Sequence, residues 1–421
     1  MVPPAVNQPS TPPRGAPVAA VLSLPVLVAA LGYFVDIYDL VLIGMVGKKS
    51  LEGLGIAAAD VVPTMGHLLG LQMIGMLVGG FAWGMIADRW GRVATLFGSI
   101  LTYSTATLLN GFVTELWQYE VLRVIAGFGL AGELGVGITL VVESLPPSRR
   151  AFGATVVACL GIAGAILAWL VNQWVSWQTA FIIGGLMGYS LLILRWLSHE
   201  SGMFAAMDAS IPKGSLGLLL GDTARVLRYL RCIALGLPTW FIIGVFAFLA
   251  PKTAAALGVT GPVTSADAIV GCYTGLIIGD FAAGFLTHGL QSRRRAVGLF
   301  LIAAALTCGM VLGLVRGWSP QAYLILCGWI GITVGFWALF VTVAAEQFGT
   351  NLRATVATTV PNVARGAFYP MQWAIFAWAD AYGYLTVLGG LAVVAFSLAL
   401  LALWHMAETH GTDLTYQEEL S

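Results

Sequence analysis

The sequence predicts an all-α membrane protein in which twelve transmembrane helices form two pseudo-symmetric bundles of six. Of its 421 residues 58% are hydrophobic and only 10% are charged, with a mean hydropathy of +0.88. A soluble domain carries roughly a quarter charged residues. The apolar residues fall in long runs between short polar turns, and about 20 such residues cross a bilayer as a helix. Charge patterns of the first half recur in the second at nearly constant offset, the mark of an internal repeat.

The first six spans run roughly over 21–46, 63–86, 93–113, 117–141, 152–175 and 178–197. The next six cover 230–250, 267–288, 296–315, 320–343, 354–378 and 384–406. Residues 1–20 are rich in proline and small residues, carry one charge at Arg14 and lack a signal-peptide pattern, so they read as a disordered tail. The polar interval 198–229, with Lys213, Arg225 and Arg228, separates bundles at 21–197 and 230–406, and 407–421 forms a second tail.

Between the second and third spans, Gly84 to Arg92 reads Gly-Met-Ile-Ala-Asp-Arg-Trp-Gly-Arg. Two arginines and an aspartate cannot sit in hydrocarbon, so this turn lies in water or headgroups. Gly84 lets two helices approach closely, Gly91 permits a sharp reversal, and Asp88 can cap a helix or pair with an arginine. With this turn inside, the inner face collects Arg14, Arg89, Arg92, Arg149, Arg150, Arg195, Lys213, Arg225, Arg228, Arg231, Arg293, Arg294, Arg295 and Arg353. The outer face has Lys48, Lys49, Lys252 and Arg316, so both termini are expected in the cytoplasm and the protein in the cytoplasmic membrane.

The repeat places Gly284 and His288 opposite Gly84 and Asp88, followed by Arg293–Arg295. Glu143, seven before Arg150, matches Glu346, seven before Arg353. Asp88, Arg89, Arg92, Glu143, Arg150, Glu346 and Arg353 therefore read as a gate of pairs at helix ends that locks one conformation.

Ionisable groups inside the spans are more informative, because a charge at mid-membrane costs about 2.5–3.5 kcal/mol even on lenient scales. The first span carries Asp36 and Asp39 on one face, the fourth Arg123 and Glu133, the eleventh Arg365 with Asn362 and Tyr369 nearby. Plain roles exist: Asp36 or Asp39 pairing with Arg123, Glu133 as a hydrogen-bonded neutral acid, Arg365 as partner of one of these acids. His67 reads as a lining residue or a proton relay, and Asp280, placed near the inner end of the eighth span, as part of the gate. The functional reading is that a desolvated carboxylate binds and releases a proton near neutral pH, while a guanidinium offers a planar fork to a substrate carboxylate. Acids in one half and the arginine in the other let proton and substrate bridge the bundles and bias closure.

The Gly84–Arg92 turn resembles the signature between the second and third helices of the major facilitator superfamily, Gly-x-x-x-Asp-Arg-x-Gly-Arg. That resemblance covers the whole chain and implies the major facilitator fold, with a substrate path between two rocking bundles. His199-Glu200-Ser201-Gly202-Met203-Phe204 resembles the Glu-Ser turn after the sixth helix of many members. Asp36-Ile37-Tyr38-Asp39 looks like the Asp-Gly-(Tyr/Phe)-Asp of aromatic-acid/proton symporters, with Ile37 in place of glycine. Gly127–Leu134, with Glu143 beyond, is similar to niacin-type carriers and metabolite/proton symporters. In aromatic-acid, niacin and organic-anion carriers an arginine follows the loop arginine by twelve residues, as Arg365 follows Arg353. The resemblance implies an anionic substrate.

The expected substrate set is thus Arg365, Tyr38, Tyr369 and Asn362, and the expected proton-coupling set Asp36, Asp39, Glu133 and Arg123. Tyr33, Trp240, Phe336, Trp337, Phe368 and Trp373 are further candidates to line a cavity for a flat ring. The expected function is proton-coupled transport of a small organic anion by a monomer. The rivals are a carrier or exporter of a sugar, zwitterion or drug-like molecule, and a non-transporting sensor, for which the tails and loop are short. Zero net charge gives no sign of nucleic-acid binding. No cofactor or metal is expected: Cys159, Cys232, Cys272, Cys308 and Cys327 read as buried apolar side chains, and neither ligand clusters nor a nucleophile elbow point to an enzyme.

Overall fold

The computed structural model describes residues 23–196, 200, 202, 213–314, 316–412 and 416–419, the side chains of 147–149 and 151 excepted. The expected tail 1–20, Arg149 and most of the turn at 199–204 lie outside them. The first half holds α1 (Leu24–Gly53), α2 (Val61–Trp90), α3 (Arg92–Asn110), α4 (Leu116–Leu130), α5 (Glu133–Ser144), α6 (Pro147–Ile162), α7 (Gly164–Trp174) and α8 (Trp177–Arg195). After a short α9 (Leu216–Leu220) come α10 (Thr223–Ile242), a π-helical turn Ile243–Phe248, and α11 (Ala250–Ala256). The chain continues through α12 (Ser265–Leu290), α13 (Arg293–Leu314), α14 (Pro320–Thr333), α15 (Trp337–Glu346), α16 (Arg353–Gly366), α17 (Phe368–Tyr382) and α18 (Tyr384–Trp404).

Among the described residues, ten stretches are long and apolar enough to cross a membrane. The third and eleventh expected spans coincide with α3 and with α16–α17, whose residues are more polar: α16 alone carries Arg353, Asn362, Arg365 and three threonines. Two readings change. Asp222 caps α10 by accepting the Ala224 and Arg225 N–H groups at 3.4 and 3.0 Å, so that helix starts inside the interval expected as loop. Several expected continuous spans are also broken: the fourth at Ala131–Gly132, the tenth at Val334–Phe336 and the eleventh at Ala367. Such breaks are tolerated at membrane depth where they face protein instead of lipid, and in carriers they mark the binding region.

α1 is buried almost all round, against α5–α8 of its own half and α12 of the other. An enclosed helix of this kind can hold acids that a lipid-facing one cannot. α2 and α16 run against each other across the two halves: a Cβ at Gly84 would lie 2.8 Å from the Thr355 Cα. The other crossing repeats this two hundred residues on, where a Cβ at Gly284 would meet Thr155 of α6 at 2.8 Å. Gly91, at φ +107°, turns the chain from α2 into α3, as the motif predicts. All five cysteines are buried. Exposed apolar residues such as Leu101, Leu306, Ile325 and Val393 lie on the outer helices, as suits a surface bathed in lipid.

Candidate transport site and gate

At the arginine-rich end, charges tie the two halves together. Asp88 of α2 accepts the Ala354 N–H at 3.2 Å, the Thr355 N–H at 2.8 Å and the Thr355 hydroxyl at 2.7 Å. It thereby caps α16, whose first N–H groups have no partners within the helix. Arg92 holds Glu143 through both oxygens at 2.9 and 3.1 Å, lies 3.4 Å from Asp88, and donates to the Thr350 carbonyl of the other half at 3.2 Å. Arg353 reaches the same Glu143 from α16 at 3.2 Å. The repeat gives Glu346 the matching place: Arg293 pairs with it at 2.5 Å, and Arg150 of the first half lies within electrostatic reach. Five of the seven residues expected as a gate therefore meet through carboxylate pairs or caps, while Arg150 donates to the Leu145 carbonyl at 3.2 Å and acts on Glu346 electrostatically. Arg89 instead donates to the Lys213 and Gly214 carbonyls at 3.2 Å, gripping the central connection.

The C-terminal segment braces the same end. Thr350 N–H donates to the Tyr416 carbonyl at 3.0 Å, and Asn351 and Glu418 exchange two hydrogen bonds at 2.9 and 3.0 Å. The Glu418 carboxylate also lies 3.4 Å from Arg225 and 3.0 Å from Arg228.

Midway through the helices the pairing is sparser. Arg365, 1% exposed, donates weakly to Asn362 Oδ1 at 3.4 Å and the Tyr33 hydroxyl at 3.5 Å. Its guanidinium sits 5.6 Å from the ring centroids of both Trp240 and Trp337, within cation–π range. It has no carboxylate pair among the described residues, and its Nε has no acceptor. Asn362 is better anchored, donating to Ala131 at the break of the fourth span (2.9 Å) and to Thr358 (2.8 Å). Asp36 is fully buried in α1, with neither carboxylate oxygen hydrogen-bonded and with Arg365, Glu133 and Asp39 in electrostatic reach.

The other acids have partners. Asp39 lies 3.4 Å from Arg123 and accepts the Thr107 hydroxyl at 2.7 Å, the plain pairing expected of one of the two aspartates. Glu133 binds Arg195 at 2.5 Å and the Ser99 hydroxyl at 3.2 Å. Arg195 was expected at the inner surface; its long stem instead carries the guanidinium inward past Gly32, where any side chain would collide with it. Nothing in the spacing marks that reach, although a buried Glu133 calls for a cation.

Three placements correct the sequence reading. Tyr38 does not join Arg365: it donates to the Ala180 carbonyl at 2.8 Å within the first half. Two residues beyond Asp36 is about 200° around a helix, so the two side chains point to opposite sides. Tyr369, 38% exposed, packs over Gly70 at a narrow cleft that it shares with Trp240, Phe248 and Gln372, and has no hydrogen bond to Arg365 among the described residues. Asp280 lies well inside α12, accepting the Ala338 N–H at 3.0 Å at the break of the tenth span, and takes no part in the gate. His67 pairs with Glu120 at 3.3 Å near a surface. Tyr33, Trp240 and Trp337, known from the sequence only as aromatic candidates, are the residues that enclose Arg365.

Known proteins were compared with this arrangement. The chain is 27% identical over 384 residues to the sialic acid transporter NanX of Escherichia coli, covering 89% of this chain and 91% of that one. It is 31% identical over 195 residues to the 4-hydroxybenzoate transporter PcaK of Pseudomonas putida, covering 45% and 42%. Among solved structures it superposes with a TM-score of 0.73 on the proton:xylose symporter XylE, at 15% identity over 94% of this chain and 98% of that one. A family model described as Major Facilitator Superfamily matches residues 29–368. With charge pairs joining its two halves, broken helices and enclosed central charges, this multi-pass membrane protein belongs to the major facilitator superfamily of transporters.

Proposed function

We propose that the protein carries a small organic anion, a carboxylate, together with protons across the cytoplasmic membrane by alternating access. One observation carries this reading: Arg365 and Asp36 come from opposite halves, lie buried within electrostatic reach of each other, and neither has a hydrogen-bonded ion partner among the described residues. Leaving such charges open at mid-membrane is costly, so the structure must be meant to receive something there. A substrate carboxylate fits the guanidinium fork between the Trp240 and Trp337 rings, and a proton on Asp36 removes the negative charge that competes for it. Loading the site from one side thus favours proton and anion together. The halves, near 21–197 and 230–406, then rock, and the Asp88 and Glu143 contacts part to open the arginine-rich end toward the cytoplasm, where both termini lie. The names of the relatives support the class, since 4-hydroxybenzoate and sialic acid are both carboxylates. A sugar carrier leaves Arg365 without a task.

The test is thermal stabilisation of the purified carrier by carboxylates, amines and sugars at two pH values. A ligand at a hundred times its Kd stabilises by about 2.7 kcal/mol. A shift confined to carboxylates, larger at lower pH and lost in Arg365→Ala, is expected. Shifts with sugars or amines that survive Arg365→Ala overturn the reading.

A further inference from the structure

We infer that Asp280 is a positioning residue of this substrate site: its carboxylate fixes the break in the tenth span, and so the face that Trp337 turns to the Arg365 guanidinium. The inference rests on the reading of Arg365 given above.

The break leaves α15 starting in the protein interior, where its first N–H groups have neither a partner within the helix nor water. Asp280 supplies an acceptor. Its Oδ1 takes the Ala338 N–H at 3.0 Å, and the Trp337 N–H lies against the same carboxylate. Backbone contact sets the register: a Cβ at Gly335 would lie 2.4 Å from the Gly279 Cα, so the residue after Gly279 must meet the start of α15. Trp337, the first residue of that helix, stacks on Arg365 and lies against the Tyr33 hydroxyl. A chain of direct contacts therefore runs from Asp280 through the Trp337 backbone to the guanidinium.

Asp280 itself has no cation beside it among the described residues; Tyr33 and Cys159 are the titratable groups within its electrostatic reach, and its Oδ2 is buried without a partner. An ion pair is thus not its purpose. The break in the first half is tied through a carbonyl instead: Asn362 of α16 donates to the Ala131 carbonyl at Ala131–Gly132. Both breaks are held by a polar side chain from a different helix, and both holders end at the surroundings of Arg365.

Because the role is that of an acceptor, Asn should replace Asp, and an apolar residue should not. Carboxylate uptake into proteoliposomes and equilibrium binding to the purified carrier are measured for Asp280→Asn, Asp280→Ala and Arg365→Ala. Asp280→Ala is expected to raise KM and Kd about five- to tenfold, the scale of a lost helix cap, with Vmax changed far less. Asp280→Asn is expected to restore both to within about twofold and to keep the pH profile of uptake. A wild-type KM in Asp280→Ala overturns the inference. So does an Asp280→Asn carrier that exchanges substrate but no longer accumulates it against a proton gradient, because Asp280 would then carry a proton. Should Asp280→Ala not fold, the Asn variant alone decides: weakened binding or a shifted profile overturns the inference. If Arg365→Ala binds carboxylates normally, the site reading has failed; if only that variant is impaired, the positioning role alone has failed.

Discussion

The arginine-rich end and the mid-membrane site are built from the same residue types to opposite ends. At the gate, Asp88, Glu143 and Glu346 each hold an arginine, a helix start or both. At the centre, Asp36 and Arg365 lie within electrostatic reach of each other, with no bonded ion partner among the described residues. Breaking a buried pair costs roughly 3–5 kcal/mol because it strands a charge, so a saturated network makes a lock. An unsaturated pair makes a receptor, because an arriving proton or carboxylate improves it. On the proposed reading, the first set of charges closes the molecule and the second waits for cargo.

The largest effect expected from breaking that contrast is at Arg365. Arg365→Ala should lower carboxylate uptake to background, and Arg365→Lys, which keeps the charge but not the fork, should lose about tenfold in affinity. Uptake assays on both variants check this. Next, Asp36→Asn should abolish accumulation driven by a pH gradient while substrate exchange persists, with the acid-side rise in uptake gone. Counterflow measured beside net uptake separates the two; retained accumulation would move the proton elsewhere, with Glu133 the next candidate.

At the gate the expected sign reverses. Asp88→Asn keeps acceptor geometry but removes charge from the cap on α16 and from the contact with Arg92, weakening charge-assisted bonds worth about 1.5–3 kcal/mol each. The closed arginine-rich end should lose about tenfold in population, seen as faster labelling of a cysteine placed at buried Ala354, which bonds Asp88 through its backbone. Substrate affinity at the open site should change little. Glu418→Ala should act in the same direction but by only about two- to threefold, since Arg228 is partly exposed and such pairs are weak.

The sequence made the gate legible because its residues sit in short turns, where side is fixed by topology and the repeat doubles each clue. That Glu143 and Arg353 belong to one cluster, and that Asp36 or Asp39 pairs with Arg123, followed from charge alone; which aspartate did not. What escaped depended on rotation and reach. α1 is apolar almost all round, so no stripe showed that Tyr33 and Tyr38 point to different neighbours. Arg195 was placed by its Cα at a helix end, yet its guanidinium works beside Glu133. Asp280 looked like a gate acid until the break at Val334–Phe336, invisible in an apolar run, supplied the N–H groups it serves.

The smallest prediction separates a latch from a mere cap. Glu408 resembles Asp88 in its bonds: it accepts the Arg293 and Arg294 N–H groups at 2.9 and 3.3 Å, together with the Ser292 hydroxyl, and so caps α13. Asp88 caps a helix of the opposite half, whereas Glu408 caps one of its own half. Glu408 lies beyond the last span. Partial burial pushes its carboxyl upward, but hydrogen bonds from Ser292, His410, Arg293 and Arg294 outweigh this and hold it below its ordinary value of 4.5. A depressed acid contributes stability that is complete above the unfolded value and is lost as pH falls through the folded one. The thermal midpoint should therefore fall below about pH 4.5 by an increment that Glu408→Gln lacks. Because no bond of Glu408 among the described residues crosses between the halves, Glu408→Gln should leave the labelling rate at Ala354 unchanged where Asp88→Asn raises it. An equal rise in both variants would mean that capping of any helix at this end, and not the crossing between halves, sets the gate.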